Sequence, residues 1–177
     1  GIQAPPPPTN ADLGIEEGDG VFAPLDPTKT GGIDGTGTDT TDGTDGTTPP
    51  EPTVPTTAKG VLEAARQHME EGRQAVARAL LTRAKKDYTD APELPEISYR
   101  LAETYFNEKN WGKAALAFKG VIDNHPTSSW APWAMLRQGE CFAGLGQSDN
   151  ARLFFDGVVQ RYPKSDAARE AKKKLAE

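Results

Sequence analysis

A chain of 177 residues, 36% of them hydrophobic and 26% charged, is long enough for one modest domain plus an appendage, and its apolar content is low for a chain packed throughout. The formal charge of −6 is unevenly placed: residues 1–58 carry ten acidic residues against Lys29 alone, a net of −9, which leaves +3 on residues 59–177. Beyond Lys172-Lys173-Lys174 there is no concentrated basic stripe, so no nucleic-acid partner is expected.

Residues 1–58 read as a disordered acidic linker rich in Pro, Gly and Thr. Pro5 to Pro8 form a polyproline II element, and the isolated apolar residues that follow have no period of two or 3.6. From Gly31 to Thr48 the chain is almost entirely Gly, Thr and Asp, a composition that cannot bury enough surface to offset its ordering entropy. The run Asp39 to Gly46 resembles a calcium loop, but no frame supplies alternate acids, a Gly at the sixth place and a Glu at the twelfth, so it is taken as solvated linker. Val21-Phe22-Ala23, an apolar cluster amid acids, also fits a short docking segment. The start at Gly1 without Met suggests a removed leader or expression segment. No apolar run reaches 18 residues, and any membrane attachment is expected upstream of Gly1.

From residue 59 a 37-residue interval governs the chain. It links Ala65, Ala102 and Gly139; His68, Tyr105 and Phe142; Ala77, Ala114 and Ala151; Leu81, Phe118 and Phe155; and Ala84, Val121 and Val158. Within Trp111 to Pro126, the residues Ala114, Phe118, Val121 and Ile122 fall at i, i+4, i+7 and i+8, one face of an α-helix, with Ala where two helices cross closely. Each unit is therefore a helical hairpin: Lys59 to Lys86 with a break near Glu71-Gly72, Pro95 to Asn124 with a break at Asn107 to Asn110, and Pro132 to Arg161, where Gly146 closes one helix and Ser148 caps the next. Ser165 caps a last, partnerless helix whose Arg169, Glu170, Lys172, Lys173 and Lys174 give the array a polar end. A two-helix unit of this period, closed at Pro126 and Pro163, is read as a tetratricopeptide repeat. Residues 59–177 are thus expected to form an all-α solenoid of three hairpins plus a C-terminal capping helix.

Solenoid geometry sets the first helix of each hairpin on the concave face. In the second hairpin Ala102 and Tyr105 face the partner helix, which turns Tyr99, Glu103 and Phe106 toward the groove. The interval carries these to Leu136, Glu140 and Ala143 in the third, with Trp133 in place of Glu96, and to Leu62, Arg66 and Met69 in the first. Aromatic anchors beside separated charges suit an extended or helical peptide. His68 lacks companions at ligand spacing, Cys141 sits in an apolar run, and Glu70-Glu71 ends a helix; no metal, no cofactor and no enzymatic activity are expected.

The segments Leu145-Gly-Gln-Ser-Asp-Asn-Ala151, Val158-Val-Gln-Arg-Tyr-Pro-Lys-Ser165 and Ala168-Arg-Glu-Ala-Lys-Lys-Lys-Leu-Ala176 resemble the Tol-Pal cell division coordinator family (CpoB/YbgF) over about residues 59–177. The Tyr-Pro-x-Ser-x-Ala closure is similar to that of outer-membrane assembly lipoproteins too. The resemblance implies a periplasmic, non-enzymatic scaffold of the bacterial envelope that binds a TolA-like protein. A lipoprotein-type or pilotin-like assembly factor, with the acidic tail as a second docking segment, is the alternative. The family's N-terminal coiled coil, which trimerises it, has no counterpart, because no heptads precede Lys59.

Overall fold

The computed structural model describes residues 55–176, and all its regular elements are helices: α1 (Ala58–Glu70), α2 (Gln74–Asp87), α3 (Leu94–Asn107), α4 (Trp111–Asn124), α5 (Ala131–Gly144), α6 (Ser148–Arg161) and α7 (Asp166–Ala176). Each packs on its neighbours in sequence, and α5 also touches α7, as α1 touches α3, so three hairpins and a terminal helix stack in order. Most residues sharing the 37-residue interval form the interior, with Ala65, Ala102, Ala77, Ala114, Leu81, Phe118, Ala84, Val121 and Val158 all buried, while His68 and Tyr105 are only partly so. The expectations for the acidic linker, the Asp39 to Gly46 run and the Val21-Phe22-Ala23 segment fall before residue 55, outside the described residues.

The turns inside the three hairpins are copies of one another. Gly72, Lys109 and Gly146, again 37 apart, hold φ of 76°, 58° and 75°. The N–H of the next residue reaches five residues back, Arg73 to the His68 carbonyl, Asn110 to that of Tyr105 and Gln147 to that of Phe142, which is the Schellman closure of a helix C-terminus. The second helix then starts at once, because the residue that completes the closure is also its N-cap. Asn110 uses its side chain there, Oδ1 accepting from the Lys113 N–H at 3.4 Å. Gln147, not Ser148, occupies the cap of α6 and makes no such bond; Ser148 is already helical, a correction to the cap expected from its type. Ser165 does cap α7, its Oγ accepting from Ala168 N–H at 3.1 Å.

At the front, α1 begins one residue ahead of Lys59. Thr57 Oγ1 accepts from the Gly60 N–H at 3.1 Å, so the domain's first cap lies within what composition alone assigns to the linker. The helices carrying Pro95 and Pro132 likewise begin one residue before the proline, at Leu94 and Ala131.

Candidate interaction surface

The first helices α1, α3 and α5, with α7, present a continuous run of charge. Arg100, Arg137 and Lys174 share the 37-residue interval, as do Glu103 and Glu140, while the first hairpin carries the two signs in reverse as Glu63 and Arg66. Glu96 takes both Arg66 and Arg100. Glu103 takes Arg100 at 2.8 Å and Arg137 at 3.9 Å; Glu140 takes Arg137 at 2.7 Å and Lys174 at 2.9 Å. Each of these three carboxylates joins two cations, and each set bridges two adjacent first helices. Burial would lower the affinity of Arg137 for its proton, but hydrogen bonds to Tyr99 and Glu140 outweigh it and hold the guanidinium well above its usual range. Arg100 is raised in the same manner, with Glu103 and Glu96 overcoming burial.

Beneath this ladder lie aromatic rings. Tyr99 packs on Phe118 and Trp130 at 5.4 and 4.8 Å between centroids, and burial, followed by the Glu103 carboxylate, pushes its phenol up, so the ring stays neutral. Arg100 lies 5.1 Å over Trp130 and Arg137 lies 4.9 Å over Phe106, cations set on π faces.

The groove residues expected from the sequence thus separate into three layers. Leu62, Tyr99 and Leu136 are 4%, 4% and 3% exposed and form the floor that joins successive units. Arg66, Glu103 and Glu140 stand in the ladder. Met69, Phe106 and Trp133 are partly exposed, Met69 against the core of the first hairpin and Phe106 edge-on to Trp111 at 5.1 Å. Glu108, in the break from Asn107 to Asn110, is ion-paired to Arg78, whose Nε donates to Thr104 Oγ1 at 3.1 Å and whose guanidinium covers Tyr105 at 4.3 Å. This clip ties α2 to α3.

Phe106 and Glu140 meet at an open recess of about 580 Å³ that also involves Arg137, Ala143, Arg152 and Lys174. Arg100, Arg137 and Lys174 were legible as an interval set; Arg152 comes from a second helix and shares its place only with Arg78, two intervals earlier. Cys141 is buried, and burial pushes its thiol up to about 12, which keeps it protonated and unreactive. Among the described residues no group of three His, Cys, Asp or Glu side chains is placed to hold a metal, and no helix is long and apolar enough to cross a membrane.

No curated protein matches the chain. Solved structures do. The second TPR domain of human RPAP3, in complex with the HSP70 peptide SGPTIEEVD, is 18% identical with a TM-score of 0.53, over 68% of this chain and 95% of that one. The first TPR of Spaghetti (RPAP3), bound to the HSP90 peptide SRMEEVD, is 19% identical with a TM-score of 0.51, over 68% and 94%. The N-terminal domain of stress-induced protein-1 from C. elegans is 15% identical at 0.53, with the same coverage. At such identities the likeness is one of fold. Residues 62–129 and 133–165 each match the tetratricopeptide repeat as a family, and together they take in more than half of the sequence. With the hairpins, their shared turns and the interval-set core in place, the chain belongs to the tetratricopeptide-repeat family.

Proposed function

We propose that the chain is a non-enzymatic interaction scaffold that takes a peptide or helix of a protein partner on the face built by α1, α3, α5 and α7, and that it works in the periplasm of the bacterial cell envelope, with a TolA-like protein as partner. The observation that carries the first part is the recess, where an aromatic edge and three cations open to solvent between the first helices and α6. RPAP3 repeat domains solved with chaperone peptides lend it support by analogy of fold. The envelope assignment rests on the residues from Leu145 to Ala176 that resemble the Tol-Pal coordinator family. Interaction surfaces of this kind concentrate their binding energy in a few aromatic and Arg residues, and Trp133, like Phe106, is a partly exposed aromatic of the face.

Calorimetric titration of the full chain with the periplasmic domain of a TolA-type protein tests the reading. Saturable binding is expected, weakened by more than about 1 kcal/mol in Trp133→Ala and unchanged in Lys164→Ala, an exposed residue on the closing turn. Absence of binding to the TolA-type domain, together with capture of an outer-membrane assembly component from envelope extract, would shift the reading to an assembly factor. No envelope partner in either experiment would remove the cellular assignment.

A further inference from the structure

Resting on that reading, we infer that the recess is a socket for one turn of a partner helix that presents an aromatic side chain and, three residues later, a carboxylate. The argument comes from what the third hairpin lacks relative to its siblings. In the second hairpin, the junction of the two helices is filled by Phe106 and Trp111, packed edge-to-face at 5.1 Å. The Trp111 ring also lies so close over the next first helix that a Cβ on Gly144 would stand 2.6 Å from its Cε2. The same two places in the third hairpin, 37 residues on, are Ala143 and Ser148. Two large rings have become a methyl and a hydroxymethyl, and both residues line the recess.

The second deficit is electrostatic. Arg152 stands 74 residues after Arg78, two intervals on. Arg78 is engaged by the end of the following unit's first helix: Thr104 accepts from it, Tyr105 lies under it and Glu108 pairs with it. Arg152 is exposed and has no carboxylate within ion-pair distance among the described residues. The rest of the lining sharpens the bias: Arg137 and Lys174 are cations, and the one carboxylate, Glu140, is already held by both. A recess with space for a ring, three cations and one committed carboxylate complements an aromatic beside an acid. The spacing follows from the chain's own usage, since Tyr105 in the last turn of α3 and Glu108 at its C-cap, the pair that meets Arg78, are three apart.

The probe is an alanine-based helical peptide with one Tyr and a Glu three residues later, titrated into the isotope-labelled full chain and followed by amide NMR. Shifts are expected at Ala143, Ser148, Arg152 and Lys174, and not in the first hairpin. Replacing the probe's Tyr by Ala, or its Glu by Lys, is expected to weaken binding by about tenfold or more. Arg152→Glu is expected to do the same, and Ala143→Phe/Ser148→Trp, which restores the rings of the second hairpin, to abolish binding with the thermal transition retained. If that double variant does not melt cooperatively, Arg152→Glu alone decides. The inference falls if the Tyr-less probe binds as well, if the shifts map elsewhere, or if Arg152→Glu binds like the parent. Failure of the probe with TolA-type binding intact would leave the scaffold function standing and remove only the socket.

Discussion

Lys109 occupies a backbone conformation that its counterparts Gly72 and Gly146 hold without penalty. A side chain at φ 58° costs about 1–2 kcal/mol in the left-handed region, and glycine's looser unfolded chain returns part of that. Lys109→Gly is therefore expected to raise unfolding stability by up to about 1 kcal/mol, read as a higher denaturant midpoint; a lower midpoint would show that the lysine stem contributes packing there. Ala114 is the opposite case. It is fully buried and is expected where two helices approach closely, so Ala114→Leu is expected to destabilise by about 1–3 kcal/mol through overpacking, with an unchanged midpoint refuting the close approach. The alanine phase was readable from sequence because burial repeats with the interval. Lys109 was not, since the usual mark of a left-handed turn is glycine and the closed hairpin imposes the conformation whatever residue stands there.

Helix starts show the same division at the scale of the element. Ser148 reads as a cap by residue type, yet the turn places the cap one residue after Gly146 and gives it to Gln147. Thr57 does cap α1, and composition alone placed it in the linker. Thr57→Ala is expected to cost about 1 kcal/mol. Two truncations make the point independently: removal of residues 1–54 is expected to leave the melting temperature unchanged, while removal of 1–58, which takes the cap with it, is expected to lower it by several degrees. Equal melting of the two would mean that Thr57 contributes nothing, and a fall in both would mean that the acidic stretch stabilises the repeats.

For the molecule as a whole, the ladder is the feature that spans every unit. Glu96 is its link across the first junction, joining Arg66 of the first hairpin to Arg100 of the second. Glu96→Gln is expected to destabilise by about 1–2 kcal/mol, with the deficit shrinking as salt screens the two arginines, whereas Glu63→Gln, on an exposed single pair, is expected to change little. Equal effects from the two would show that the ladder contributes no more than surface pairs. The face itself was legible in sequence, since the interval carries Tyr99 to Leu136 and Glu103 to Glu140. What was hidden is its depth: the sequence gives the direction of a side chain on a helix, and the neighbouring unit decides whether that direction ends in solvent or, as for Tyr99, against Phe118 and Trp130.

The reversed signs of the first hairpin also fix an order. Glu103 meets Arg137 and Glu140 meets Lys174 at successive junctions, so the second and third hairpins share one polarity. Moved behind the third, the first hairpin would set Glu63 against Glu140 on one side and Arg66 against Lys174 on the other. Where it stands, Arg66 would confront Arg100 but for Glu96 between them. A gene with its hairpins shuffled would encode the same buried alanines and the same turns, and would stack them across two repelling seams; the hairpins are built alike but are not interchangeable, and their sequence along the array is written in charge.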